Sequence, residues 1–348
     1  MNRSQLEACA CSLAVRGKGI LAADESFPTI EKRFKSVGLT STEENRRAYR
    51  EMLFTTPGLG EFIDGAILFD ETMRQKTRDG TPLPEVLARH CILPGIKVDK
   101  GTVPLAGFPG EKITEGLDGL RARLEEYRTL GARFAKWRAV IVIGANPTLP
   151  TRTCIRSNAE LLARYAALSQ EADLTPIVEP EVLMDGAHSL ARCEEVTEMT
   201  LRIVFKALYE HRVFLEGTLL KPNMVLPGKT CSEKASVEQV ADATLRCLRR
   251  TVPVTVPGIV FLSGGQTPCQ ATEHLNALNE RGPHPWALSF SYGRALQDPV
   301  LAVWRADAAG NEAAQLALFH RARCNGSACR GSYSREMETN NSLSFSLC

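Results

Sequence analysis

The sequence predicts an α/β chain folded as a single (β/α)8 TIM barrel with a mobile C-terminal tail. Three observations predict it. Eight short apolar runs alternate with longer amphipathic segments along the 348 residues, as strands and covering helices do around a parallel sheet. The length allows two domains at about 150 residues each, yet no Pro-, Gly- or Ser-rich linker divides the chain and no internal repeat recurs. Charged and hydroxyl residues fall just after the runs, at the strand ends where such barrels carry their active sites.

The elements follow in order. Ser4-Gln5-Leu6-Glu7 reads as a capping box opening a short amphipathic helix. The apolar runs are residues 19–23, 65–69, 95–98, 134–140, 176–178, 215–220, 259–262 and 287–290. Between the third and fourth, Leu117, Leu120, Leu124, Tyr127 and Leu130 recur at helical spacing, with Arg and Glu on the other face. Leu161, Leu162, Tyr165 and Leu168 repeat the stripe, as do Val237, Val240, Thr244, Leu245 and Leu248. Each stripe lays one helix face on the barrel exterior. The pattern fades after about Asn325, which divides the chain into a barrel domain with an N-terminal helix, residues 1–324, and a tail, 325–348.

Composition narrows the function. Forty-two Lys+Arg against 40 Asp+Glu leave a net charge of +2, so nothing marks a generally basic nucleic-acid binder. No apolar run approaches the ~18 residues of a membrane span, and no targeting segment is read at the N-terminus. Eleven cysteines are scattered from Cys9 to Cys348, a distribution that fits reduced thiols in a cytoplasmic protein.

The strand ends carry the chemistry. Asp24-Glu25-Ser26 follows the first run, Lys97 and Asp99 close the third, and Lys136 and Arg138 sit in the fourth. Glu179 and Glu181 follow the fifth, Lys221 the sixth, Ser263-Gly264-Gly265 the seventh, and Tyr292-Gly293-Arg294 the eighth. Burying cations and carboxylates together costs several kcal/mol per ion unless they pair or meet a charged ligand, so the cluster points to an anionic substrate. Ser263, Gly264 and Gly265 offer a hydroxyl and unobstructed backbone N–H groups for a phosphate, with Arg294 as a guanidinium partner. Lys97 and Arg138, with Lys32 and Arg33, supply cations for a second phosphate. Two phosphate sites imply a bisphosphate.

The six histidines are isolated, without metal-ligand spacing, and no metal or cofactor is assigned. Lysine is then the available electrophile source, because a deprotonated amine forms a Schiff base with a ketone, and burial beside another cation favours deprotonation. Lys221, with Lys136 on the fourth run, fits that requirement.

On these residues the chain resembles the class I fructose-bisphosphate aldolases, the metal-independent animal and plant type. The matching segments are residues 17–26, 42–47, 95–101, 134–138, 176–181, 215–224, 261–266 and 291–296, and the match runs from about residue 5 to 330. The resemblance implies reversible cleavage of fructose 1,6-bisphosphate to dihydroxyacetone phosphate and glyceraldehyde 3-phosphate. It makes Lys221 the Schiff-base nucleophile, Glu179 the acid/base of carbinolamine dehydration and Asp24 the acceptor of the C4 hydroxyl proton. Lys136 keeps its neighbours correctly charged, and Glu181 matches a supporting acidic position. Ser263, Gly264, Gly293 and Arg294 match the C1-phosphate site; Lys97, Arg138, Lys32 and Arg33 match cationic positions at the other end of the substrate. A cytoplasmic homotetramer whose partners are phosphorylated sugars, with neither nucleic acid nor membrane, is the corresponding expectation.

Three departures stand out. Phe27-Pro28-Thr29 replaces a small Thr-Gly-Ser type segment, keeping a hydroxyl at Thr29 in a bulkier, stiffer loop. Val142 occupies a position that is often Lys. The family commonly ends in a tyrosine that assists proton exchange on the enamine, whereas residues 342–348 read Ser-Leu-Ser-Phe-Ser-Leu-Cys; slowed enamine protonation is expected. The competing readings are a metal-dependent aldolase and a catalytically weakened barrel that binds phosphorylated ligands or serves as a scaffold.

Overall fold

A computed structural model of the chain describes residues 1–144, 148–305 and 308–339. Eight parallel strands close into a barrel: β1 (Gly19–Ala23), β2 (Ile63–Leu68), β3 (Leu93–Lys97), β6 (Phe134–Ile141), β7 (Thr175–Val182), β8 (Leu219–Leu220), β9 (Gly258–Phe261) and β10 (Ala287–Tyr292), with β10 returning to β1. Between β3 and β6 lies an antiparallel hairpin, β4 (Thr102–Pro104) and β5 (Lys112–Thr114).

The helices preceding the hairpin are α1 (Arg3–Ser12), α2 (Phe27–Ser36), α3 (Glu43–Phe54), α4 (Asp70–Arg74) and α5 (Leu83–Arg89). Those following it are α6 (Leu120–Thr129), α7 (Arg152–Glu171), α8 (Leu190–Glu210), α9 (Val237–Thr251), α10 (Pro268–Glu280), α11 (Arg294–Val303), α12 (Ala308–Ala328) and α13 (Glu336–Thr339). Polar caps set their starts. Thr42, Thr151 and Ser189 accept from the backbone of the first turn, and Ser236 and Thr267 form reciprocal capping boxes with Gln239 and Gln270. The expected stripes are the buried faces: Leu120, Leu124 and Tyr127 on α6, Leu162 and Tyr165 on α7, and Val240, Thr244, Leu245 and Leu248 on α9. Burying each large apolar side chain contributes about 1.5–3 kcal/mol.

Inside the barrel, Leu13, Ile20, Ala22, Ile67, Phe134, Ile177, Leu219 and Val260 pack together. Glycines make room for the largest of them: a Cβ at Gly95 would lie 2.2 Å from the Phe134 ring, and one at Gly65 2.6 Å from Leu13. Leu13, just past α1, thus plugs the N-terminal end of the barrel and leaves the C-terminal end open.

Four details differ from expectation. The N-cap of α1 is Asn2, whose side chain accepts from Gln5 N, because the helix starts one residue before Ser4. The sixth run forms a strand only at Leu219–Leu220; Leu215–Gly217 is a 3-10 turn, held where a Cβ on Gly217 would come within 2.8 Å of Leu6 on α1. The boundary read at 325 falls inside α12. Asn325, Ala328 and Cys329 are buried, and Gly326 is needed there, since a Cβ would meet Gly17 O at 2.7 Å. Residues 340–348, which carry the altered C-terminal sequence, lie outside the described residues. Among the described residues, nine cysteines are free thiols, whereas Cys269 is disulfide-bonded.

Candidate active site

Strand register brings the charged residues together at the open end. Lys97 on β3 lies opposite Lys136 on β6, and on β7 Glu179 pairs with Arg138 and Glu181 with Val140. Because side chains alternate along a strand, Lys136 with Arg138 and Glu179 with Glu181 point the same way. Asp24 and Lys221 follow directly on β1 and β8.

The centre is a compact set of opposite charges. Lys136 Nζ lies 2.7 Å from Asp24 Oδ2, 3.2 Å from Glu179 Oε2 and 4.0 Å from Asp99 Oδ2. Lys221 Nζ lies 3.2 Å from Glu179 Oε1, and Lys97 Nζ 2.7 Å from Asp99 Oδ1. Lys136 and Lys221 are 3% exposed and Glu179 4%, so these pairs act with little solvent screening. Glu179 thus stands between two ammonium groups, one on each carboxylate oxygen. Its Oε2 is buried without a hydrogen bond, in ion-pair contact with Lys136 only.

Burial alone would raise the Asp24 carboxyl, but the ammoniums of Lys136, Lys221 and Lys97 outweigh it and hold Asp24 below the ordinary carboxylate range. For Lys136 burial opposes the charge, yet Asp24, Glu179 and Asp99 prevail and raise its pKa, so it stays a cation. The arrangement can therefore hold a fixed cation, an ionised base and a lysine bridged to a glutamate within one buried pocket.

Around this centre, Ser263 is buried and Gly264 closely packed: a Cβ there would lie 3.1 Å from Glu181 Oε1 and 3.9 Å from Arg294 Nη2. Gly265 has φ +81°, the left-handed region that favours glycine, and a Cβ would strike Met184. Glu181 is ion-paired to Arg138. Arg294 is the exposed first residue of α11. The loops after β9 and β10 thus converge with Arg294 over one side of the pocket.

Arg33 belongs to that side too. A Cβ at Gly293 would lie 3.7 Å from Arg33 Nη2, which places Arg33 with the Gly293 and Arg294 loop rather than with Lys97 and Arg138, the grouping expected from the sequence. The second turn of α2 carries it there, a geometry that residue spacing alone does not fix. Lys32 is exposed on the same helix and has no ion-pair partner among the described residues. Thr29 is exposed, its hydroxyl 3.2 Å from Ser26 Oγ. Beside it Phe27 meets Phe69 edge-on at 5.2 Å, under the guanidinium of Arg46.

Sequence reasoning missed the partners of Glu25. Arg50 on α3 and Gln297 on α11 both bond to it; the available signal was that Glu25, next to Asp24 on a strand end, must face the other way. Away from the pocket, the ligand atoms of His320, Cys324 and Glu338 come within 4.8 Å of one another. Arg321 binds that same Glu338 at 2.5 Å, and burial pushes the Cys324 thiol up to about 12. The cluster reads as an ion-paired clasp for α13.

A family model described as "Fructose-bisphosphate aldolase class-I" matches residues 5–346. The "Probable fructose-bisphosphate aldolase class 1" of Xanthomonas campestris pv. campestris is 61% identical over 334 residues, 96% of this chain and 99% of that protein. The "Fructose-bisphosphate aldolase" of Dictyostelium discoideum is 53% identical, covering 99% of this chain and 96% of that one. The "Fructose-bisphosphate aldolase 4, cytosolic" of Arabidopsis thaliana is 52% identical over 99% of this chain and 87% of its own. Among solved structures, the aldolase of Plasmodium falciparum, crystallised with TRAP and a small-molecule inhibitor, superposes with a TM-score of 0.94 at 52% identity, covering 95% of this chain and 96% of that one.

Proposed function

The chain belongs to the class I fructose-bisphosphate aldolases, and from that premise we propose which of its residues perform the aldol chemistry. The observation that carries the assignment is the bridge of Glu179 between the buried Lys221 and Lys136 at the open end of the barrel. Lys221, as the free amine left when its ammonium proton passes to Glu179, attacks the C2 carbonyl of fructose 1,6-bisphosphate to give a carbinolamine. Glu179, whose Oε1 lies beside that nitrogen, delivers the proton with which the C2 oxygen leaves as water. The resulting iminium is the electron sink: Asp24 takes the C4 hydroxyl proton, the C3–C4 bond breaks, and its electron pair forms the enamine as glyceraldehyde 3-phosphate departs. Protonation at C3 and hydrolysis then release dihydroxyacetone phosphate and restore Lys221.

The other residues hold charge and position. Lys136 remains an ammonium through its three carboxylate neighbours and keeps Asp24 ionised for its role as base. Glu181 fixes Arg138. Ser263, Gly264, Gly293, Arg294 and Arg33 bind the C1 phosphate; Lys97 and Arg138, with Thr29 and Lys32 at the rim, serve the C6 end. The family supports a homotetramer, which a sedimenting mass equal to one 38.1 kDa chain would refute. A cytoplasmic site of action is supported by the name of the Arabidopsis relative; among the described residues no helix is long and apolar enough to cross a membrane.

Turnover of fructose 1,6-bisphosphate by Lys221→Arg tests the assignment. A guanidinium cannot supply the free amine, so kcat falls by at least ~1,000-fold, in line with loss of a covalent step. Retention of a tenth of the parent rate would move the nucleophile elsewhere.

A further inference from the structure

Glu25 follows Asp24 at the end of β1, and strand alternation turns the two carboxylates to opposite sides. Asp24 faces Lys136, while Glu25 faces α2, α3 and α11 and is 8% exposed. Its Oε1 accepts from Arg33 Nη1 at 2.5 Å and Gln297 Nε2 at 2.8 Å, and its Oε2 from Arg50 Nη2 at 2.5 Å. Gln297 is fixed in turn. Its Nε2 also donates to Ala22 O at 2.7 Å, and its Oε1 accepts from the Tyr49 hydroxyl at 3.1 Å and Arg50 Nη1 at 3.4 Å. Among the described residues, Glu25 is the one carboxylate paired with the buried Arg50 and the one side-chain hydrogen-bond partner of Arg33.

Burial alone would raise the Glu25 carboxyl, but the guanidiniums of Arg50 and Arg33 hold it below the ordinary range. Glu25 is thus an immobile anion gripping one edge of Arg33, while Nη2 on the opposite arm of the guanidinium lies against Gly293.

We propose that Glu25 is a positioning residue for substrate phosphate: it holds the Arg33 guanidinium where its remaining N–H groups meet the phosphate bound by Gly293 and Arg294, and Arg50 and Gln297 lock Glu25 in place. The role rests on reading the loops after β9 and β10 as a phosphate site. A guanidinium ordered before the substrate arrives gives up little freedom on binding. Losing that order weakens ground-state and transition-state binding alike, so KM rises while kcat holds.

Steady-state kinetics of the full chain with fructose 1,6-bisphosphate tests this in a double-mutant cycle. Glu25→Gln and Arg33→Gln each raise KM about tenfold with kcat within about threefold, and the double variant is no worse than Arg33→Gln alone. Glu25→Gln also leaves the buried Arg50 without its counter-charge, so Glu25→Asp is measured beside it. Aspartate keeps the charge for Arg50 but is one methylene shorter, and KM rises several-fold in a chain that melts near the parent temperature. An unchanged KM in Glu25→Asp, or a Glu25→Gln effect that adds in full to that of Arg33→Gln, overturns the proposal. Arg294→Ala separates it from the reading beneath it. If Arg294→Ala leaves KM unchanged, the phosphate-site reading fails; if Arg294→Ala raises KM and the Glu25 cycle is additive, only the positioning role fails.

Discussion

Lys136 touches Asp24 and Glu179 at once, and the charge state of Asp24 depends on it. Lys136→Met keeps the bulk and removes the ammonium, leaving two buried carboxylates with less compensation. The Asp24 pKa then rises, because the opposite charge that lowered it is gone. The expected outcome is a kcat lower by at least ~100-fold and an acid limb of the kcat/KM profile displaced to higher pH; an unmoved acid limb would contradict the role. Asp64, far from the chemistry, offers a stability counterpart. Burial raises it to about 6 despite Lys18 nearby. Its folded pKa lies above the unfolded value, so the stability it contributes is full below about pH 3.8 and is lost as pH rises through 6. Asp64→Asn therefore stabilises the chain by about 2 kcal/mol at pH 7.5 and by almost nothing at pH 4, measured by urea unfolding at both. The charged residues at the centre of the pocket were legible at this scale because each lies within or just after an apolar run. The side of the pocket taken by Arg33, and the partners of Glu25, were not; both depend on how α2, α3 and α11 pack.

The elements show why the runs could be read and the ends could not. Strand interiors are fixed by local pattern: residues 134–140 and 176–178 are apolar or inward-pointing throughout and became the long strands β6 and β7. The sixth run, with Glu216, Gly217 and Thr218 among its leucines, forms a strand of two residues where Gly217 lies against Leu6 of α1, a contact between segments about two hundred residues apart. In the same way, α12 continues past the loss of apolar periodicity because Gly326 lets it pack against the loop before β1. The N-terminal layer of the barrel tests this complementarity of large and small. Gly95→Ala places a methyl 2.2 Å from the Phe134 ring, and overpacking of that kind costs about 1–3 kcal/mol or more. Phe134→Leu in the same chain relieves the clash, and recovery of part of the lost stability in chemical denaturation is the expected result; simple addition of two losses would show that the ring and the glycine are not matched.

In the whole molecule, the closed barrel gathers residues scattered from Asp24 to Arg294 onto one open face, while the other end is filled by Leu13 and Phe134. The near-zero net charge conceals this distribution: Lys97, Lys136, Arg138 and Lys221 lie among carboxylates that offset them. The central claim is that one of these cations, Lys221, becomes covalently bound to the ketone. Borohydride reduction in the presence of dihydroxyacetone phosphate, followed by peptide mapping, reads that bond directly. A stable adduct on the peptide carrying Lys221, absent without borohydride and absent in Lys221→Arg, is the expected result. An enzyme that turns over fructose 1,6-bisphosphate yet gives no adduct, or gives it on Lys136 or Lys97, would contradict it.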